Sequence, residues 1–232
     1  MSGIIKPPFG AQLNLDHPLA RGMVGCWLFN EGSGNKAQDY SGQGNIGTLT
    51  NFNDPPIATS GWNAGPHGGA LAFDGSNDYV DFGAMPLATI SPKAFTLEII
   101  LKPDDNSVDL IIDHGTAYNQ SPFYVAKQLT TFEFEVWGGS TQDKVNTLST
   151  YSIGQWYHLW FVWESTKNIN IFLNGKIDNG ARTSNPQTTL IPGDANLMLG
   201  RRPASASLWY TGAINLFRYY NRALSAEEIA YL

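Results

Sequence analysis

The sequence predicts an all-β protein, a two-sheet antiparallel sandwich, on three observations. Apolar and polar residues alternate with a period of two in several short runs, the pattern of half-buried strands. Turn formers are dense, with 24 glycines and 13 prolines in 232 residues. Helical patterning is confined to the extreme C-terminus. Charged side chains make up 15% of the chain and hydrophobic ones 42%. Ordinary globular domains carry about 25% charge, so a packed core must form and neither disorder nor a coiled coil is expected. The length suits one sandwich unit, and no repeat or linker divides it.

Residues 1–22 carry Pro7, Pro8 and Pro18 and little periodicity. Proline fixes φ and removes an amide donor, so an extended N-terminal arm is expected there, lying on its own domain or reaching a neighbour. The sandwich domain occupies residues 23–232. Phe95, Leu97, Ile99 and Leu101 alternate with Thr96, Glu98, Ile100 and Lys102, giving a strand with one apolar face that Lys102-Pro103-Asp104-Asp105 ends. Phe132, Phe134 and Val136 alternate with Glu133, Glu135 and Trp137 in a second such strand, whose carboxylates are expected to be solvated. The run Trp156–Trp163 is apolar on both alternating faces, so it should lie centrally and be covered on both sides. Ile169, Ile171 and Leu173 lead into Asn174-Gly175, which suits the positive φ values of a type I′ hairpin. Ser225-Ala226-Glu227-Glu228 reads as a capping box that starts a short C-terminal helix packed through Ile229 and Leu232.

Charge excludes one class of partner. The net charge is −6 and no Lys/Arg block occurs, so nucleic acid is not an expected ligand, because that affinity rests on clustered cations. No stretch approaches the eighteen or so apolar residues of a membrane helix, and no membrane partner is expected. Lys6-Pro7-Pro8 follows Ile4-Ile5 without an apolar signal region. The chain is therefore expected to stay in the cytosol that makes it unless lysis releases it. The single cysteine, Cys26, sits in an apolar run and reads as a small buried hydrophobe. The four histidines lack paired spacing for zinc, and His158 reads as a hydrogen-bonded residue of the covered strand.

Six ordered blocks together resemble the laminin G-like group of the concanavalin A-like lectin/glucanase superfamily. They are residues 22–34, with Trp27-Leu28-Phe29-Asn30-Glu31-Gly32; 39–45, with Asp39, Ser41, Gly42, Gly44 and Asn45; 69–80, with Phe73-Asp74-Gly75; Gly154-Gln155-Trp156-Tyr157-His158; Phe172-Leu173-Asn174-Gly175-Lys176; and Tyr220-Asn221-Arg222-Ala223-Leu224-Ser225. The resemblance implies a jelly-roll sandwich, a fold that hosts lectins, hydrolases and structural modules alike. The opening, with Leu13-Asn14 and His17-Pro18-Leu19, is also similar to the start of laminin G-like proteins encoded by bacteriophages. That implies a virion component made in the host cytoplasm, a head decoration or tail-associated protein on the particle surface, contacting virion proteins or itself through the arm.

The candidate chemistry is sparse. The glucanase branch of the resembled family carries Glu-x-Asp-x-x-Glu on one strand. Here Glu133, Glu135 and Gly138 take those places, so one carboxylate of the necessary pair is missing unless Asp113 or Glu98 supplies it. No nucleophile motif appears, and the expectation is no enzyme. The resemblance also implies a structural Ca²⁺ held by Asp39, Asn45 and Asn215, the last standing where an acidic residue is usual. A metal-free loop closed by Asx-type hydrogen bonds is the competing reading. The turn Asp74-Gly75-Ser76-Asn77-Asp78 reads as a hairpin whose carboxylates accept backbone amides. For glycan or partner contact the aromatic candidates, expected in exposed loops, are Trp62, Tyr118, Trp137, Trp209 and Tyr210, with Arg201-Arg202-Pro203 beside the last two. The function expected is thus a non-catalytic binding or structural module with glycan-binding capacity, the alternatives being a dedicated lectin or a glycoside hydrolase.

Overall fold

The alternating runs become strands in a computed structural model that describes residues 6, 7, 10, 13, 14, 16–85, 94–117, 119–165, 167–193, 196–203 and 207–232. In chain order they are β1 (Met23–Trp27), β2 (Lys36–Ala37), β3 (Gly47–Thr50), β4 (Gly61–Gly65), β5 (Gly68–Asp74) and β6 (Tyr79–Asp81). Next come β7 (Ala94–Pro103), β8 (Asp109–Asp113), β9 (Phe123–Lys127), β10 (Phe132–Gly138), β11 (Thr141–Thr147) and β12 (Tyr157–Glu164). The last are β13 (Asn170–Leu173), β14 (Lys176–Ile177), β15 (Asn179–Thr183), β16 (Met198–Leu199) and β17 (Thr211–Tyr220), followed by helix α1 (Ala226–Tyr231). One sheet of eight strands runs β14-β13-β12-β7-β17-β5-β4, with β1 also on β17. The other, of nine, runs β15-β11-β10-β9-β8-β16-β6-β3-β2. The described pairings are antiparallel, which is the jelly-roll sandwich expected.

The core lies between the sheets. Phe95, Leu97, Ile99 and Leu101 of β7 and Leu159, Phe161 and Trp163 of β12 meet Phe132, Phe134 and Val136 of β10. Phe95 packs against Phe123 at 4.8 Å and Trp163 at 5.7 Å between ring centroids, and Trp27 stacks on Phe217 at 5.1 Å. Such aromatic contacts add to burial beyond area alone.

The outer side of the eight-stranded sheet is also covered. Trp160 and Val162 pack with Phe172, Tyr220, Leu224 and Ile229, the last from α1. Cys26, Leu28, Ile100 and Leu216 pack with Leu13, Tyr40 and Trp156. The Trp156–Trp163 run is therefore covered on both faces as expected, and β7, expected to have one wet face, is buried on both because these segments lie over it. The Ser225 hydroxyl accepts from the Glu228 amide at 3.2 Å while the Glu228 carboxylate accepts from the Ser225 amide at 2.9 Å, completing the capping box. Asn174 (φ 50°) and Gly175 (φ 82°) form the expected hairpin turn.

The arm differs in detail from an extended strand, because Pro18–Ala20 form a 3-10 turn capped by the His17 side chain. Three of its described residues, Lys6, Pro7 and Leu13, contact the domain itself. Leu13 joins the outer cluster, Asn30 donates to the Pro7 carbonyl at 2.9 Å, and the Lys6 ammonium enters the sandwich. Residues 1–5, 8, 9, 11, 12 and 15 of the arm lie outside the described residues.

Candidate functional site

With one sheet covered, the outward side of the nine-stranded sheet is where side chains can meet a ligand. Residues directly opposite on neighbouring strands share a face. The register joins Asp81, Met198, Asp113, Tyr124, Glu135 and Lys144 into one transverse row. A second row joins Leu110, Ala126, Glu133 and Asn146. Leu110, Tyr124 and Ala126 form a small apolar cluster here, separate from the core.

The glutamates of β10 project outward, as alternation requires, yet they are buried: Glu133 is 5% exposed and Glu135 not at all. The expectation of solvated carboxylates is thus corrected. Neighbours shield them. The Tyr124 hydroxyl lies 2.6 Å from Glu135 Oε2 and 3.2 Å from Glu133 Oε1. A phenol carries one proton, so it donates to one carboxylate at a time. Lys144 Nζ sits 3.4 Å from Glu133 Oε2. Arg202 donates from Nε to Asp113 Oδ2 at 2.8 Å, and its guanidinium carbon lies 5.8 Å from the Tyr124 ring centre. Burial pushes the Asp113 carboxyl up, with Ser121 and Arg202 opposing. Tyr124, Ala126, Leu110, Glu133, Lys144, Arg202 and Leu208, with Val108, Asp109 and Gln128, line a depression of about 210 Å³. A partly apolar floor with a few convergent polar groups is what small-ligand sites present.

The aromatic candidates divide. Trp209 is half-buried next in sequence to Leu208, which lines this depression, and the Arg201 guanidinium packs on its ring (4.5 Å) and on that of Tyr79 (4.9 Å). Trp62, Trp137 and Tyr210, expected in exposed loops, are buried instead. Trp62 belongs to β4 and donates its indole proton to the Gly34 carbonyl at 2.8 Å. Trp137 is the last residue but one of β10, and its carbonyl accepts from the Ile191 amide at 3.0 Å. Tyr210 enters the core and donates to the Lys102 carbonyl at 3.0 Å. Tyr118 lies outside the described residues.

The residues named for calcium do not fit one cation shell. Asp39 Oδ1 accepts from the Cys26 and Ser41 amides at 3.0 and 2.8 Å. Its Oδ2 accepts from the Asn45 amide at 2.9 Å and the Ser41 hydroxyl at 2.8 Å. All four lone-pair sites of a carboxylate are thereby used. Asn45 donates its side-chain amide to the Val24 carbonyl at 2.8 Å. Asn215 belongs to another group, donating to the Gly69 carbonyl at 2.7 Å. In the second acidic turn, Asp74 accepts from the Ser76 amide at 2.8 Å and Asp78 from the Asp74 amide at 3.1 Å, as expected. Burial raises Asp78 to about 6.

Opposite this face, Glu98 is fully buried. It is held by His158 Nε2 at 2.8 Å, by Arg218 Nη1 at 3.2 Å to each oxygen, and by the Tyr220 hydroxyl at 3.2 Å. His158 is thus the hydrogen-bonded strand residue expected. Sequence reasoning missed Tyr124 and Lys144. The alternation of Tyr124 with Phe123 and Val125 was visible, but only cross-strand register brings Tyr124 to the glutamates.

The fold is a lectin-type β-sandwich. The chain belongs to the concanavalin A-like lectin/glucanase superfamily, its residues 74–230 matching the Laminin_G_3 family. It is similar to domain 4 of AbnA, an extracellular arabinanase from Geobacillus stearothermophilus, in complex with arabinotriose. That likeness has 18% identity and a TM-score of 0.64, covering 90% of this chain and 97% of that one. Trypanosoma rangeli sialidase in complex with sialic acid is similar at 14% identity and TM-score 0.63, covering 90% of this chain and 32% of that one. The binding domain of botulinum neurotoxin DC in complex with SialylT is similar at 13% identity and TM-score 0.62, covering 92% and 51%. A human protein, adhesion G-protein coupled receptor D1, is 27% identical over 75 residues, 32% of this chain but 9% of the receptor.

Proposed function

We propose that the chain is a non-catalytic carbohydrate-binding module whose binding face is the outward side of the nine-stranded sheet. One observation carries the reading: Tyr124, Glu133, Lys144 and Arg202 converge on a depression whose floor is partly apolar. Polar groups of this kind fix sugar hydroxyls while an apolar floor and a half-buried Trp209 receive the C–H face of the ring. The volume, about 210 Å³, is below the roughly 300 Å³ of larger ligand pockets, which suits one sugar residue at a chain end. The arabinotriose and sialic acid held by proteins of similar fold support a glycan as ligand. Binding without turnover is favoured because Glu135 lies 2.6 Å from the Tyr124 hydroxyl and Glu133 pairs with Lys144, and because Gly138 stands where the hydrolase pattern has its third acid. The finer placement, on a bacteriophage particle, rests on the resemblance of the opening segment. Mass spectrometry of purified particles tests it, and absence from every particle overturns it.

A glycan array followed by titration calorimetry tests the binding face. Lys144→Met and Trp209→Ala should each weaken the selected glycan at least tenfold, about 1.4 kcal/mol, with melting temperature retained. No binding on the array, or binding that survives both substitutions, contradicts the reading.

A further inference from the structure

Three main-chain carbonyls converge where the eight-stranded sheet is irregular. Leu28 follows the end of β1, Gly69 lies in β5 beyond the stretch paired with β17, and Asn215 is the extra residue of a bulge in β17, where the register with β7 shifts between Ile214 and Leu216. A bulge leaves its residue out of the ladder, and a buried carbonyl without a donor is costly. Lys6 Nζ donates to all three, to Gly69 at 2.6 Å and to Leu28 and Asn215 as well. An ammonium has three protons, so donors and acceptors match one to one. The Asn215 side chain is fully buried beside them, its Oδ1 unpartnered. Burial lowers the amine to about 7, Glu31 acting against it, Arg218 with it and Cys26 weakly against it. Oxygen donors with one neighbouring carboxylate are the set a hard cation takes.

We propose that Lys6 is a resident counter-cation: its ammonium fills, from within the chain, an oxygen cage that otherwise calls for a hard metal ion, and so straps the N-terminal segment to the sandwich. The cage is distinct from the Asp39 loop, whose carboxylate is already saturated, and the inference is independent of the proposed glycan site on the opposite sheet.

The test compares full-length wild type with Lys6→Met at about pH 6, in EDTA and in about 5 mM CaCl2, by thermal unfolding. Wild type should melt at the same temperature in both. Lys6→Met should melt about 5 °C lower or more in EDTA, the Leu28 and Asn215 carbonyls having lost their donor while Gly69 keeps the Asn215 amide, and calcium should restore most of the loss. A variant as stable as wild type in EDTA, a destabilised variant that ignores calcium, or a wild type that gains stability from calcium overturns the proposal. Should Lys6→Met not fold, reductive methylation of wild type decides. Lys6 should resist labelling under conditions that label the exposed Lys176, and equal labelling overturns the strap.

Discussion

At Glu98, burial pushes the carboxyl up, but the Arg218 guanidinium and the His158 hydrogen bond outweigh it and hold it at about 2. A carboxyl lowered on folding contributes stability at pH above its unfolded value, near 4.3, and loses it as pH falls towards the folded value. Glu98→Gln should therefore be about 3 kcal/mol less stable than wild type at neutral pH, since it strands the Arg218 charge. The gap should close between about pH 4.5 and 2 in urea unfolding curves; an unchanged gap at pH 2 rejects an ionised Glu98. A second residue bears on chemistry. Neither wild type nor Glu133→Gln should release reducing sugar from an arabinan or a β-glucan, and turnover that Glu133→Gln abolishes would establish a hydrolase. At this scale the sequence was least informative. Trp62 and Tyr210 look like loop aromatics in isolation, yet indole and phenol protons find main-chain carbonyls inside. Only the folded neighbourhood decides which aromatic is wet.

Among the elements, strong local patterns translated directly. The period of two in β7 and β10, the Asn174-Gly175 hairpin and the capping box of α1 are each set by a few adjacent residues, so they were legible without tertiary knowledge. Ser225→Ala removes the hydroxyl that accepts the Glu228 amide and should cost about 1 kcal/mol, seen as a lower denaturation midpoint. A cost near zero shows instead that Ile229 packing alone holds the helix. The two-residue strands β2 and β16 were not legible, because strands so short exist by pairing with longer neighbours rather than by their own propensity. β7 was half legible. Its inward face followed from alternation, whereas its covered outer face depends on Leu13, Tyr40 and α1, remote in sequence.

For the whole molecule, the sandwich followed from strand spacing and family likeness together, but its open face did not, since opening depends on which sheet the termini cover. The arm and α1 close the eight-stranded sheet. The nine-stranded sheet keeps its Tyr124–Glu133 depression, lined also by Arg202 and Leu208. Position, affinity and absence of turnover can be read at once by titrating ¹⁵N-labelled protein with the array-selected oligosaccharide in an NMR tube. Amide shifts should concentrate in β8–β11 and residues 200–210 while the sugar signals remain those of the intact oligosaccharide. Shifts confined to the covered sheet, or the appearance of cleaved sugar, would contradict a passive carbohydrate-binding face.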